Sequence, residues 1–260
     1  MATGYAARSW AAFNEGNNTK MIILLALLQI IPIFGQIVLA GVAYRWANEA
    51  AWGMEKPLPT EFGDWGKLLR SGFIVFVAEL VIGLVGGIVS GILGIIPILG
   101  SLASMAISLL MMVLSPICGL RGVLYDSYSA PFEVKNIFEM MKRDTDGLFR
   151  ILGFILIMSF VYGLVAGFIF SILAVCCFGS TVFTAIMTAI SSADYNSLAT
   201  VISSSAFISS LLVFCVLAII VSIILFVPSV IINLLSARAT GYWFQNFKPQ
   251  TWGASSDPLP

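Results

Sequence analysis

Four stretches of the chain stay apolar for the ~20 residues that a helix needs to cross ~30 Å of hydrocarbon. They are 72–96, 97–120, 148–175 and 206–235. A fifth, Met21 to Ala43, is long enough but carries Gln29, Pro32 and Gln36. It either dips into the bilayer and returns at Pro32 or crosses. A sixth, Thr181 to Ser191, is too short to span and has Asp194, Tyr195 and Asn196 behind it. It reads as a short re-entrant or interfacial helix followed by a polar loop. The pattern predicts an all-α polytopic transmembrane helix bundle with four or five full spans. The expected organisation is an interfacial N-terminal segment (1–20), a single membrane domain (21–246) and a flexible C-terminal tail (247–260). Twenty residues precede Met21 and the apolar run continues beyond Ile31, which favours a retained helix over a cleavable signal peptide.

The positions of the charges orient these helices. All 13 Lys and Arg lie in four segments: the N-terminus (Arg8, Lys20), the first loop (Arg45, Lys56, Lys67, Arg70), the middle loop (Arg121 to Arg150) and the C-terminus (Arg238, Lys248). The positive-inside rule then puts loops 44–71 and 121–150 and the C-terminus in the cytoplasm of a multi-pass cell (plasma) membrane protein. A hairpin at Pro32 would bring Arg8 and Lys20 to the same side. Trp10, Trp46, Trp52, Trp65, Trp243 and Trp252 all fall in the basic segments, as an aromatic belt on one interface would require.

The chain repeats itself. Between 68–95 and 148–175 an offset of 80 matches nine positions, among them Arg70/Arg150, Gly83/Gly163 and Gly87/Gly167, and Asp64/Asp144 shares it. Such spacing implies repeated helix–loop units. Pro-Ile-x-Gly occurs at Pro32, Pro97 and Pro116. Pro97 suits a turn between two spans. The other prolines act either as packing kinks or as breaks in discontinuous helices around a substrate site. Gly83, Gly87 and Gly91 stand four apart, and Gly163, Gly167 and Ser171 repeat that spacing. Small residues so placed let helices approach closely, on each other or on a second copy.

Composition narrows the chemistry. Apolar residues make up 59 % of the chain and charged residues 10 %, the net charge is zero, and there is no histidine. Zero net charge gives no general attraction to nucleic acid. The missing histidines remove His-based acid/base and nucleophile pairs and most catalytic zinc sites. No cofactor is expected. Cys118, Cys176, Cys177 and Cys215 form no C-x-x-C pair, so they read as small apolar filler rather than metal ligands. No catalytic residue stands out, and the chain reads as a non-enzyme.

Glu79 remains. It lies nine residues past Arg70, about 13 Å deeper at helical rise. An ionised carboxylate there costs about 2.5–3.5 kcal/mol on insertion scales, so it needs polar partners. Gln36, Gln29 and Asn233 are the candidates. Glu79 then serves either a proton- or ion-coupled pathway or a structural hydrogen bond between helices. Its repeat counterpart is Ser159.

The stretch from Pro32 to Phe73 combines a Pro-x-x-Gly membrane segment, Gly41, Tyr44 and Arg45 at its exit, the turn Pro57-Leu58-Pro59, then Asp64-Trp65 and Leu68 to Gly72. In these features it resembles bacterial and archaeal membrane proteins grouped as domain of unknown function 4013. Here Thr60 separates the Pro-Leu-Pro turn from Glu61. The resemblance implies an integral membrane protein with a repeated helical scaffold and carries no catalytic residue. Two functions stay open: a membrane scaffold or accessory component packing with itself or a membrane-protein partner, and a small-solute or ion transporter or channel with Glu79 near its pathway.

Overall fold

The computed structural model describes residues 4–16, 18–96, 99–192 and 205–248. The helices are α1 (Tyr5–Asn14), α2 (Thr19–Leu28), α3 (Phe34–Ala51), α4 (Trp65–Leu93), α5 (Leu99–Tyr125), α6 (Val134–Arg143), α7 (Thr145–Ser192) and α8 (Ser205–Gln245), with a 3₁₀ turn at Ala130–Phe132. Among the described residues there is no strand. Four helices are long and apolar enough to cross a membrane: Trp65–Leu93, Gly100–Tyr125, Thr145–Ser180 and Phe207–Gln245.

The ambiguous segment 21–43 is broken at its centre. Helix α2 has 10 residues, about 15 Å and half the hydrocarbon thickness. The chain then turns through Gln29–Ile33 into α3. Ile33 takes a positive φ of 66°, a conformation that a β-branched residue adopts only where its surroundings impose it. A Cβ on Gly35 would lie 2.2 Å from the carbonyl oxygen of Leu28, and one on Gly16 would lie 3.3 Å from Pro57 Cβ. The two helices therefore form a hairpin that starts and ends beside the loop after α3. At its tip Leu27, Ile30, Ile31 and Ile33 are exposed, as an apolar tip lodged in lipid would be.

The same sequence recurs, with the same hydrogen bonds among its described residues. Leu28 to Gly35 reads LQIIPIFG and Leu93 to Gly100 reads LGIIPILG. In both, the second Ile donates its N–H to the Leu carbonyl (Ile31 to Leu28 and Ile96 to Leu93, 3.0 Å each). In both, the Gly N–H returns to that Ile (Gly35 to Ile31, 2.9 Å; Gly100 to Ile96, 3.0 Å). A Cβ on Gly100 would sit 1.9 Å from the Leu93 oxygen, so both positions require glycine. The first turn joins a half-length arm to α3, and the second joins two full spans, α4 and α5.

The offset of 80 also has a structural counterpart. Asp64 caps α4, its Oδ1 accepting from the N–H groups of Gly66 (3.0 Å) and Lys67 (3.3 Å). Asp144 does the same for α7 through Gly147 N–H at 2.8 Å. Such caps satisfy N–H groups that have no partner within the helix.

Glycines set the close contacts. A Cβ on Gly72 of α4 would meet the Ile37 carbonyl oxygen at 1.9 Å, and one on Gly41 of α3 would meet the Leu68 oxygen at 2.5 Å. These backbones touch as small-residue membrane interfaces do. Met111 of α5 packs over Gly86, and Ser104 donates its hydroxyl to the Ser90 carbonyl. Pro116 and Pro228 lie inside α5 and α8, both of which continue past them.

Thr181 to Ser191 is not a separate short helix. Helix α7 runs unbroken for 48 residues through it. No proline interrupts that region, and Gly179 alone costs a helix only about 1 kcal/mol. The polar residues Asp194, Tyr195 and Asn196, and residues 249–260 of the tail, lie outside the described residues.

By its contacts the chain forms two units, Met1–Met158 with Ser229–Pro260, and Ser159–Pro228. In the second unit, Phe178 packs against Phe207 and Phe214 at 5.8 and 5.2 Å, and Tyr162 donates to the Leu225 carbonyl at 3.4 Å. The first unit holds the features described below.

The glycine contacts are testable. Gly72→Ala forces backbone apart and is expected to lower stability by about 1–3 kcal/mol. Gly83→Ala, with open space at its Cβ position, is expected to change it little. Thermal unfolding in a mild detergent reads both.

Candidate functional site

Two arginines that mark the ends of spans are among the most buried residues of the molecule. Arg238 near the end of α8 is 0 % exposed and Arg121 near the end of α5 is 1 % exposed. Arg238 Nη1 donates to the Trp46 carbonyl, and Nη2 donates to those of Met54 (3.0 Å) and Lys56 (3.1 Å). Its guanidinium stacks over the rings of Trp46 and Tyr242 at 4.7 and 5.1 Å. Arg121 Nε donates to the Ala130 carbonyl at 2.9 Å, Nη2 pairs with Glu133, and the guanidinium lies 5.1 Å from the Tyr125 ring. Each arginine thus stacks on a tyrosine four residues on and binds the carbonyl of a residue that precedes a proline, Lys56 before Pro57 and Ala130 before Pro131. In each case the guanidinium supplies the donors that a loop carbonyl needs once buried.

These contacts join segments far apart in sequence. Arg8 of α1 pairs with Glu55 at 2.8 Å, donates to Gln245 at 3.1 Å and lies 4.0 Å from the Tyr242 ring centre. Asn246 donates to Tyr5 Oη at 2.6 Å and to Asp144 Oδ2 at 3.1 Å. Burial, chiefly, pushes the Tyr5 phenol above its ordinary range. Arg70 pairs with Asp126 at 2.9 Å. The N-terminal helix, the first loop, the start of α7 and the end of α8 therefore meet at one end of the first unit.

The aromatic residues divide accordingly. Trp10, Trp52 and Trp65 are exposed, as a belt requires. Trp46 and Trp243 are instead fully buried: Trp46 stacks with Arg238, and Trp243 packs on Gly147 at the start of α7 and edge-on to Phe244 and Phe247. Sequence reasoning took Arg121, Arg238, Trp46 and Trp243 as markers of the interface and missed their role in the core. The one available signal was the shared Arg-x-x-x-Tyr spacing.

Glu79 has a partner that the sequence did not suggest. Tyr44 of α3 donates its hydroxyl to Glu79 Oε1 at 3.4 Å. The ring can reach it because α5 carries Gly119 there: a Cβ would lie 2.9 Å from Tyr44 Cε1. The expected partners are elsewhere. Gln29 donates to the Gly35 carbonyl within its own turn at 2.9 Å, Asn233 donates to Ser229 one turn back at 2.9 Å, and Gln36 is exposed. Gln29 and Asn233 are each placed by their own turn or helix, and neither is drawn to the carboxylate.

Glu79 itself is exposed, as are Gly83, Gly87 and Gly91 on the same face of α4. Beyond the helix's own backbone and chain neighbours, no described atom lies within 4 Å of a Cβ built on these glycines, and the same holds for Gly163 and Gly167 of α7. Ser171 donates its hydroxyl to Gly167 of its own helix. Cys118 is buried in α5, while Cys176 and Cys215 are exposed. Among the described residues no cluster of acidic residues and cysteines could hold a metal ion.

The clamp predicts a large stability effect. Arg238→Ala leaves three carbonyls without their donor, at about 1–3 kcal/mol for each left buried and unpaired. A loss of about 3 kcal/mol or more is expected in chemical unfolding of the detergent-solubilised protein. Lys67→Gln, at an exposed ion pair, is expected to stay within about 0.5 kcal/mol.

A comparison with known families matches residues 24–175, more than half of the chain, to the family of proteins of unknown function DUF4013. Searches of curated proteins and of solved structures find no match. The matched region runs from α2 into α7. It therefore contains the hairpin, both copies of the turn, the two capping aspartates, Tyr44 with Glu79, and the Arg121 clamp. With its four apolar helices of membrane-spanning length, the chain belongs to the DUF4013 family.

Proposed function

We propose that this protein is a non-enzymatic membrane scaffold or accessory component. It is multi-pass in the cell membrane, with the end that carries the basic segments in the cytoplasm. The observation that carries this reading is the Arg238 clamp. The last helix closes onto the loop after α3 through a guanidinium with no exposed surface. Alternating access requires groups of helices to rock against one another. Separating α8 from that loop would leave a buried cation without its acceptors, which costs about 3–5 kcal/mol in comparable cases. Such an end suits a part that holds geometry for a second copy or a membrane-protein partner.

One observation favours a second reading, a small-solute or ion transporter or channel. Glu79 is a carboxylate partway along a candidate span, exposed at the helix surface. Its hydrogen bond comes from Tyr44.

Reconstitution separates the two. Purified protein in liposomes, under a pH gradient and a solute-flux screen, is expected to show no flux above empty liposomes, with Glu79→Gln indistinguishable from wild type. Flux that Glu79→Gln abolishes would overturn the scaffold reading in favour of transport. Orientation is read separately. In a background with the four cysteines replaced by alanine, Glu15→Cys should resist a membrane-impermeant thiol reagent added to intact cells. Labelling there would put the N-terminus outside.

A further inference from the structure

A cavity of about 270 Å³ lies between α4, α5 and α6. Its walls include Val81 and Val85 of α4, Leu110 and Leu114 of α5, and Ile137 and Phe138 of α6, and no charged side chain lines it. It is a groove open to the surface of the first unit, because Val81, Val85, Leu110 and Phe138 are all exposed. One wall belongs to two candidate membrane spans. The other belongs to a ten-residue helix in the loop between spans, which presents both apolar and charged positions.

Helix α6 brings cations to this groove. Lys135 and Lys142 stand seven residues apart, two turns along one face, with Phe138 between them. Lys142 Nζ lies 5.4 Å from the Phe138 ring centre, at the groove wall. Both lysines are exposed, and neither joins an ion pair among the described residues. The carboxylate of Glu133 is held by Arg121 and by Asn136, and Glu139, one turn from each lysine, falls on the side of the helix away from Phe138 and the groove wall.

We propose that this groove binds one anionic glycerophospholipid. An acyl chain lies along Val81, Val85, Leu110 and Leu114, and the phosphate rests against Lys142 and Lys135. The apolar walls accept a chain that already fills the surrounding medium, so they give little selectivity alone. Selectivity comes from the two ammonium groups that α6 sets beside the groove, since basic residues near a membrane attract anionic lipid. The site is independent of whether the protein serves as scaffold or transporter.

Native mass spectrometry of the full chain tests this, after release from nanodiscs of equal parts phosphatidylglycerol and phosphatidylcholine. Wild type is expected to retain one phosphatidylglycerol in preference to phosphatidylcholine. Lys135→Gln with Lys142→Gln should reduce that preference roughly thirtyfold, at about 1 kcal/mol for each lysine near an anionic surface. Val85→Trp, which fills the groove, should abolish retention of both lipids. Should Val85→Trp fail to fold, the double lysine variant on the exposed side of α6 carries the test. The proposal is overturned by no retained lipid, by equal retention of the two lipids, or by a preference unchanged in the double variant. Displacement of the lipid by millimolar inorganic phosphate would assign the site to the free anion and overturn it equally.

Discussion

A guanidinium without exposed surface must find its acceptors inside the protein, and Arg238 finds them in the first loop. This requirement organises the basic end of the first unit. The loop must bring the carbonyls of Trp46, Met54 and Lys56 to one point, which the turn Pro57-Leu58-Pro59 helps to hold. Helices α3 and α8 must then approach until Gly241 meets the Ala47 backbone. Tyr242 is left between two cations, stacking with both Arg8 and Arg238. Through Arg8 the N-terminal helix is drawn in as well. Charges that a hydropathy profile treats as flanking labels are here the joints of the structure.

Deeper in the bilayer the joints are of another kind. Helices α3, α4 and α5 meet where glycine removes a side chain: Gly41 against Leu68, Gly72 against Ile37, and Gly119 against the Tyr44 ring. Lipid offers no hydrophobic drive for helices to associate, so dispersion at such close contacts must hold them. The Tyr44 to Glu79 hydrogen bond depends on this geometry, since a Cβ at position 119 would push the ring aside. The carboxylate is therefore set by all three helices, although it belongs to one.

Much of this fold was legible in the sequence because the signals were local. Spans follow from apolar length, and Pro32 between two glutamines marked the segment where a return was one of two readings. The offset of 80 paired Asp144 with Asp64, and both turn out to cap the helix that follows them. What was not legible depended on contacts between distant segments. Nothing near Glu79 points to Tyr44, 35 residues away, because their meeting is fixed by Gly119 on a third helix. The burial of Trp46 follows from Arg238, which lies 192 residues from its first acceptor, and that of Trp243 from its packing on Gly147, 96 positions earlier in the chain. The end of α7 was misjudged for the opposite reason. Polar residues nearby suggested a break, but local helix propensity without proline carries the helix on.

The repeated eight-residue turn bears on how the chain enters the membrane. A hairpin that returns to the face from which it started carries no charged flank through the lipid. Only its tip must descend, and that tip is apolar in the α2–α3 hairpin. The shared residues fix the reversal alone, and the arms they join differ from half to full bilayer depth. One short sequence thus separates two decisions in membrane insertion, where the chain turns back and how far it has gone before doing so. Lengthening or shortening an arm changes the depth reached without requiring a new turn.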